Sequence, residues 1–348
     1  MKSLTPLHFA RHFARYALRG GVQHLVVHVT NHCNLRCEHC FVDFTPKRDL
    51  PLESYRRLAR EVGPLFHLDV GGGEPFLRKD LPEIVASFDA RVVHVPTNGS
   101  LGARMVPIVE RMRDLSSAEI GIALSLDGRR ETHDRIRARP GSFDEVWTAF
   151  DLLRGIEGIA VYVNTVLTLE NADEMLDLMD EVFERRPDFH AVTLLRGGPV
   201  EPRTRYVPLE RLERLGPEIL RRAARYDEGG VPVLRRLGRN YHRYLWDLSL
   251  RTIAEQRQVV PCLGGRAHAV VWGDGGVSSC EMLPVVGNVE EASFGEIVGS
   301  DAMRAQVAGV RRGDCHCTHN CALYDSIMFR PASLARLLHQ PLRRPTTG

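Results

Sequence analysis

The sequence has almost no excess of charge: 46 basic residues against 44 acidic ones leave a formal net charge of +2. That balance gives no reason to expect a nucleic-acid or membrane-surface partner. No apolar stretch approaches the length of a membrane span. The opening MKSLTPLHFARHFARYALRGG has no apolar core of signal-peptide length. There is no low-complexity tract and no repeat beyond a βα rhythm. These absences lead to the expectation of a cytoplasmic protein. The most informative gap is in the cysteines. There are eight, and none between Cys40 and Cys262. They fall into two groups, Cys33, Cys37 and Cys40 near the start, then Cys262, Cys280, Cys315, Cys317 and Cys321. Without a secretion signal, clustered thiols point to metal ligation and away from disulfides.

What is present is a chain of 348 residues, 43% of them hydrophobic, enough for one large domain with a small appendage. From residue 24 to 198, β-rich apolar runs alternate with helical patterns. The expected strands are His24–Thr30, Phe66–Gly71, Val92–Thr97, Ile120–Leu126, Ala160–Leu167 and Ala191–Leu195. The expected helices are Leu52–Val62, Leu81–Phe88, Ala103–Leu115, Phe143–Leu153 and Ala172–Arg186. Runs such as RVVHV and IGIALSL read as parallel strands buried on both faces. The pattern predicts an α/β fold: a (βα)6 barrel of parallel strands, complete or partial, with a small C-terminal cysteine-rich domain stapled by metal. Its expected divisions are an N-terminal helix over 1–21, the barrel over 22–200, linker helices over 201–258, the cysteine-rich domain over 259–325 and a basic tail over 326–348. Both ends read as helices capping a core. In barrels of this kind the chemistry sits at the C-terminal ends of the strands. The first cysteine group follows the first strand directly.

Cys33-x3-Cys37-x2-Cys40 places three thiols on one loop. A structural metal site takes four protein ligands; three suit an iron–sulfur cluster with one iron left open. A partial zinc site completed by His32 or His39 is the alternative on these residues alone. The triplet after the first strand of a six-unit βα chain resembles the radical S-adenosylmethionine (SAM) superfamily, over roughly residues 22–200. The resemblance implies a [4Fe-4S] cluster whose open iron binds SAM, reductive cleavage of SAM to methionine and a 5′-deoxyadenosyl radical, and hydrogen abstraction from an organic substrate.

Further motifs carry the resemblance. GGGEP at 71–75 is similar to the family's segment for the SAM amino group, which implies roles for Gly72, Gly73, Glu74 and Pro75. PTNG contributes Asn98, LSLDG contributes Ser125, and the fifth strand carries Asn164, similar to a ribose-contacting residue. THDRIRARPGSF supplies Arg137, whose guanidinium suits the SAM carboxylate. His39 and Phe41 flank Cys40, where family members have adenine neighbours; packing of the loop is an equal reading.

The segment CLGGRAHAVVWGDGGVSSC, Cys262 to Cys280 with Gly275 between, resembles the start of the SPASM/twitch extension, and GDGG suits a hairpin turn. Two cubane clusters would need eight thiolates, and only five are here. One auxiliary [4Fe-4S] cluster is therefore expected, on Cys262, Cys280 and two of Cys315, Cys317 and Cys321, with Cys317 and Cys321 preferred. The spare thiol, Cys315 on that choice, is a passive neighbour or a hydrogen-atom donor as in radical epimerases. Zinc in CHCTHNC, with His316 or His319, remains an alternative.

The expected outcome of the radical is oxidation, crosslinking or epimerisation of a small molecule or peptide in a biosynthetic pathway. The five-cysteine count leans towards oxidation of a small molecule. The short segment before His24 is expected to leave no room for a peptide-recognition domain. Arg196, Arg203 and Arg205 are candidates for an anionic substrate group or are solvated loop charges. A flavodoxin- or ferredoxin-like protein is the expected electron donor. The alternative is an iron–sulfur redox sensor that does not cleave SAM.

Overall fold

The structure is a computed structural model that describes residues 6–45, 47–197, 199, 204–226 and 232–339. Arg203 and the end of the basic tail lie outside the described residues.

Six parallel strands form the body: β1 (His24–His28), β2 (Leu65–Gly71), β3 (Ala90–Thr97), β4 (Glu119–Ser125), β5 (Ile159–Leu167) and β6 (Phe189–Leu194). The helices α1 (Pro6–Arg19), α2 (Leu52–Val62), α3 (Leu81–Ser87), α4 (Val106–Leu115), α5 (Arg130–Ile136), α6 (Ser142–Leu153) and α7 (Met175–Glu184) precede or separate them. Two linker helices, α8 (Leu209–Ala223) and α9 (Pro232–Glu255), come next. The C-terminal part adds β7 (His268–Val271), β8 (Gly276–Ser278), β9 (Gly287–Asn288), α10 (Phe294–Val298), α11 (Asp301–Arg312), α12 (Asn320–Met328) and α13 (Pro331–His339).

The strand order is β6-β5-β4-β3-β2-β1-β7-β8-β9. The sheet is not closed, so the barrel is partial. The cysteine-rich segment is no separate sheet: β7 pairs in parallel with β1, His24 opposite His268, and β8 and β9 extend the same sheet in antiparallel fashion.

Side chains alternate between the two faces of a strand. Leu25 and Val27, Leu68 and Val70, Val93 and Val95, Ile122 and Leu124 are fully buried in one core with Leu58, Ile84, Met112 and Phe150 of the surrounding helices. Each such side chain contributes about 1.5–3 kcal/mol of burial. The intervening positions carry His24 and His28, His67 and Asp69, His94, Ser125, Tyr162 and Asn164, which face the inside of the barrel. The strands read as continuously apolar in sequence are therefore two-faced, because a partial barrel with a reaction space needs polar groups on its inner wall. α5, the short helix between LSLDG and Arg137, was not among the expected helices.

The apolar face of α1 caps one end of the sheet. Phe9 meets Phe66 edge-on with ring centroids 5.5 Å apart and lies 6.1 Å from Phe329. α13 packs Leu337 into a satellite core on α9, and Asn240 donates to the Leu337 carbonyl at 2.7 Å. Among the described residues, no helix is long and apolar enough to cross a membrane.

Candidate functional site

The loop after β1 carries Cys33, Cys37 and Cys40 and is held by the end of β2. Val29 donates to the Gly71 carbonyl at 2.9 Å, Gly73 to Thr30 at 2.8 Å and Glu74 to His32 at 2.9 Å. The approach is so close that a Cβ on Gly73 would stand 2.2 Å from the His32 carbonyl oxygen. Gly72 has φ +123°, and its Cβ would meet the Thr30 oxygen at 2.3 Å. Only glycine fits at either position. The GGGEP run thus seats the cysteine loop.

Glu74 is buried and acts as a strut to the end of β3. It accepts from the Phe76 N–H at 3.2 Å, the Thr97 hydroxyl at 2.8 Å and the Asn98 N–H at 2.8 Å. A carboxylate has about four acceptor positions, and these donors fill three of them. Burial pushes its pKa up, against the lowering effect of these donors. Pro75 opens the short 3₁₀ turn that follows. Asn98 reaches the cysteine loop, donating to Asn34 at 3.0 Å with its amide 3.9 Å from the Cys33 sulfur.

Donors converge on the thiols. The Leu35 N–H points at Cys33 Sγ at 3.4 Å, and Arg137 Nη1 lies 3.5 Å from Cys37 Sγ. Burial raises the Cys33 thiol and pushes Cys40 up to about 11. Arg137, at the end of α5, is buried and bound to Asp127, Nη2 to Oδ2 at 2.5 Å. Burial alone would lower its pKa; Asp127 and Cys37 outweigh that and hold it above the ordinary value. Burial would raise Asp127, yet Arg137 keeps it below the usual carboxylate range. Asp127 Oδ1 also accepts from the Val166 N–H at 2.9 Å. Asp127 stands in the LSLDG motif beside Ser125 and was not anticipated as a partner of Arg137. Ser125, the last residue of β4, sits opposite Asn164 on β5. His39 Nε2 is 3.6 Å from Asp127 Oδ2. Phe41 lies under the Arg196 guanidinium, 4.9 Å from it.

The second thiol set lies across this mouth. Cys262 follows α9, Cys280 follows β8, and Cys315 and Cys317 lie between α11 and α12. All four line one cavity of about 590 Å³, together with Leu194, Leu195 and Arg196 from the end of β6. Gly264 donates its N–H to Cys262 Sγ at 3.3 Å, and Gln258 bridges the Cys262 N–H and the Cys315 carbonyl at 3.1 and 2.9 Å. Burial pushes Cys262 up to about 11 and raises Cys280, Cys315 and Cys317.

Cys321 is not among the residues lining this cavity. It lies in the first turn of α12, which turns its sulfur into the barrel, 3.4 Å from Asp69 Oδ2. Arg196 joins the two regions: over Phe41 on one side, it pairs with Glu281 at 3.3 Å on the other. Glu281, next to Cys280, also binds His28 at 2.8 Å and His319 at 2.6 Å. Burial opposes ionisation of Glu281, but the Arg196 guanidinium, with the hydrogen bonds from the two histidines, holds it well below its ordinary pKa. Glu281, His28 and Asp69 escaped the sequence reading. The signal for His28 and Asp69 was period-two histidine and aspartate within runs taken as apolar; Glu281, in the turn after β8, had none. Arg205 N–H meets Glu170 at 3.3 Å in the loop beyond β6.

These donor sets fit iron–sulfur clusters: three thiols on one loop with N–H and guanidinium donors aimed at sulfur, and four more around one cavity.

Comparison with known proteins agrees. The profile of the Radical SAM superfamily matches residues 27–182, and that of the SPASM iron–sulfur cluster-binding domain matches residues 262–322. The Fe-coproporphyrin III synthase of Methanosarcina barkeri is 29% identical over 219 residues, covering 58% of this chain and 51% of that protein. The AdoMet-dependent heme synthase of the same organism is 28% identical over 287 residues, covering 76% and 78%. The chain thus spans about half of the first relative and most of the second. Streptococcus suis SuiB bound to its precursor peptide SuiA superposes with a TM-score of 0.64 at 16% identity, over 89% of this chain and 73% of that one, and so shares the fold. The family binds SAM at a [4Fe-4S] cluster, and the SPASM domain holds an auxiliary cluster. The chain belongs to the radical SAM superfamily, as an enzyme with a C-terminal SPASM iron–sulfur domain.

Proposed function

We propose that this chain cleaves SAM reductively at a cluster held by Cys33, Cys37 and Cys40, and abstracts a hydrogen atom from an organic substrate lying between that loop and the second thiol set. When bound, such a cluster supplies the one-electron reduction of SAM and hence the 5′-deoxyadenosyl radical. The observation that carries the reading is the seating of the cysteine loop. Gly73 abuts His32, and Arg137 is aimed at Cys37. The ends of β2 to β5 surround that loop with Glu74, Asn98, Ser125 and Asn164.

The chain's own groups have separable roles. Gly72 and Gly73 let the backbone approach a ligand, and the free acceptor position of Glu74 suits the SAM ammonium. Asn98 and Pro75 shape the floor, and Ser125 and Asn164 offer polar contacts to the nucleoside. Arg137 Nε has no partner. It suits a carboxylate while Asp127 holds the guanidinium in place.

The auxiliary cluster is assigned to Cys262, Cys280, Cys315 and Cys317, supported by their shared cavity. This replaces the preference for Cys321 over Cys315, and with it the role of Cys315 as a spare hydrogen donor. Substrate lies against Arg196 and Glu281 and is a small molecule or a peptide; the polar inner wall suits a charged one. Loss of an electron to the auxiliary cluster would make the reaction an oxidation. A flavodoxin- or ferredoxin-like protein in the cytoplasm supplies the reducing electron, in keeping with thiol clusters that need a reducing compartment.

The test is anaerobic iron and sulfide analysis of reconstituted protein, with a dithionite–SAM assay for 5′-deoxyadenosine. Two cubanes give about eight irons. Cys33/Cys37/Cys40→Ala should retain about four and make no 5′-deoxyadenosine. Full iron in wild type without 5′-deoxyadenosine would favour a redox sensor instead.

A further inference from the structure

Below the two thiol sets, the inner wall of the barrel carries a second cluster of ligand groups that the radical reading does not use. His94, His67, His24 and His268 come from four adjacent parallel strands, β3, β2, β1 and β7. Asp69 stands among them. Its Oδ2 is 3.0 Å from His24 Nε2 and 3.4 Å from Cys321 Sγ. Its Oδ1 has His67 Nε2 at 3.2 Å and His94 Nδ1 at 3.3 Å. Neither contact is a hydrogen bond, and both His67 nitrogens and Asp69 Oδ1 are left without one.

We propose that His24 Nε2, Asp69 and Cys321 Sγ bind one divalent transition-metal ion of the zinc class, with a fourth position open to the barrel interior.

Three independent features support the site. The first is spacing. The three donor atoms lie within 4.8 Å of one another. Tetrahedral zinc with bonds of about 2.0–2.3 Å sets its ligand atoms roughly 3.3–3.6 Å apart. The separations of 3.0 and 3.4 Å need only small adjustment to meet that. The second is donor type. One imidazole, one carboxylate and one thiol suit a borderline metal ion better than magnesium or calcium, which take oxygen. The third is the outer support. A metal-binding histidine generally donates its other ring N–H to a carboxylate. His24 Nδ1 meets Asp325 Oδ2 at 2.9 Å, and His268 Nδ1 approaches the same oxygen at 3.1 Å. Asp325 and His268 are fully buried, so this support is fixed by packing. His94, the most exposed of the group, marks the side that opens to the interior.

The site stands on its own donors and does not depend on SAM cleavage. Only the idea that its open position meets a substrate oxygen or nitrogen rests on the proposed function.

The experiment uses the full chain with its clusters reconstituted, exposed anaerobically to one equivalent of zinc and desalted. Zinc, iron and sulfide are measured, and zinc-edge X-ray absorption reads the zinc ligands without interference from iron. The expected result is one retained zinc per chain, with a single sulfur at about 2.3 Å and nitrogen or oxygen at about 2.0–2.1 Å. Asp69→Asn and Cys321→Ser should each lower zinc retention at least tenfold with iron and sulfide unchanged. Asp69→Asn is nearly isosteric, so it guards against a folding defect in the cysteine variant. No retained zinc in the wild type overturns the proposal. So does zinc carrying two or more sulfurs, which would place it among the cavity cysteines. A loss of about four irons in Cys321→Ser overturns it as well, by making that thiol a cluster ligand.

Discussion

Asp127→Asn tests whether the Arg137–Asp127 pair is a structural clamp under the cysteine loop. Both groups are buried, with Asp127 fully enclosed and Arg137 8% exposed. Removing one partner of a buried ion pair costs about 3–5 kcal/mol, because the survivor is left charged without compensation. Here the low end applies. Asparagine still offers an oxygen to the Val166 N–H, and Arg137 keeps its contact with Cys37. The new amide instead sets N–H groups against the guanidinium. The expected loss is about 3 kcal/mol. In an Arg137→Met background the same Asp127→Asn change removes no counter-charge and should cost about 1 kcal/mol, the worth of a weakened hydrogen bond. The coupling is therefore about 2 kcal/mol. Anaerobic urea unfolding of the four proteins, followed by far-UV circular dichroism, measures it. Iron analysis on the same samples separates loss of cluster from loss of fold. Additivity within about 0.5 kcal/mol would refute the reasoning, since the pair would then be too well solvated to act as a clamp.

Gly73→Ala puts a Cβ against the His32 backbone, which cannot rotate away, so it should cost about 1–3 kcal/mol and lower iron on the first cysteine set more than on the second; separate iron analysis with Cys262→Ala as background checks this. Asn98→Ala removes the link to Asn34 and should cost about 1–2 kcal/mol in urea unfolding, with the Glu74 strut to the Asn98 N–H intact. Burial lowers His190 to about 3, so it enters the fold neutral. The unfolded chain binds a proton near pH 6.5 that the folded chain refuses. Stability is thus full above that value and falls with decreasing pH, by up to about 1.4 kcal/mol per pH unit. Between pH 7 and 5.5 the wild type should lose about 1 kcal/mol more than His190→Gln, read from paired urea midpoints.

Much of the frame was legible in the sequence because cysteine spacing and βα rhythm are local signals. β1 to β6 begin or end within a few residues of the expected positions, and α2 matches throughout. The inner wall was not legible. His24, His67, Asp69 and His94 alternate with buried leucine and valine, and a histidine inside VVHV dilutes an apolar run too little to mark a second face. Pairing across strands, which assembles these residues, is a tertiary property. The same limit applied to the late cysteines. In CHCTHNC the spacing counts thiols but does not fix their direction. The start of α12 at Asn320 sends Cys321 into the barrel and leaves Cys315 and Cys317 on the cavity side. Arg137 was found by its motif, but its partner Asp127 was passed over because a buried counter-charge is visible only once both are placed.

The pairing of β7 with β1 has a consequence for how such a protein can be taken apart. An open sheet exposes an unpaired strand edge, which is a template for aggregation. Here the edge that would be exposed belongs to β1, the strand that leads into Cys33, Cys37 and Cys40. The C-terminal module therefore works as a selvedge, sewn along the one border from which the reactive loop hangs. Cutting the chain before it would fray that border, and swapping it for a module of different pairing register would shift the loop itself. The two cysteine sets hang from one fabric.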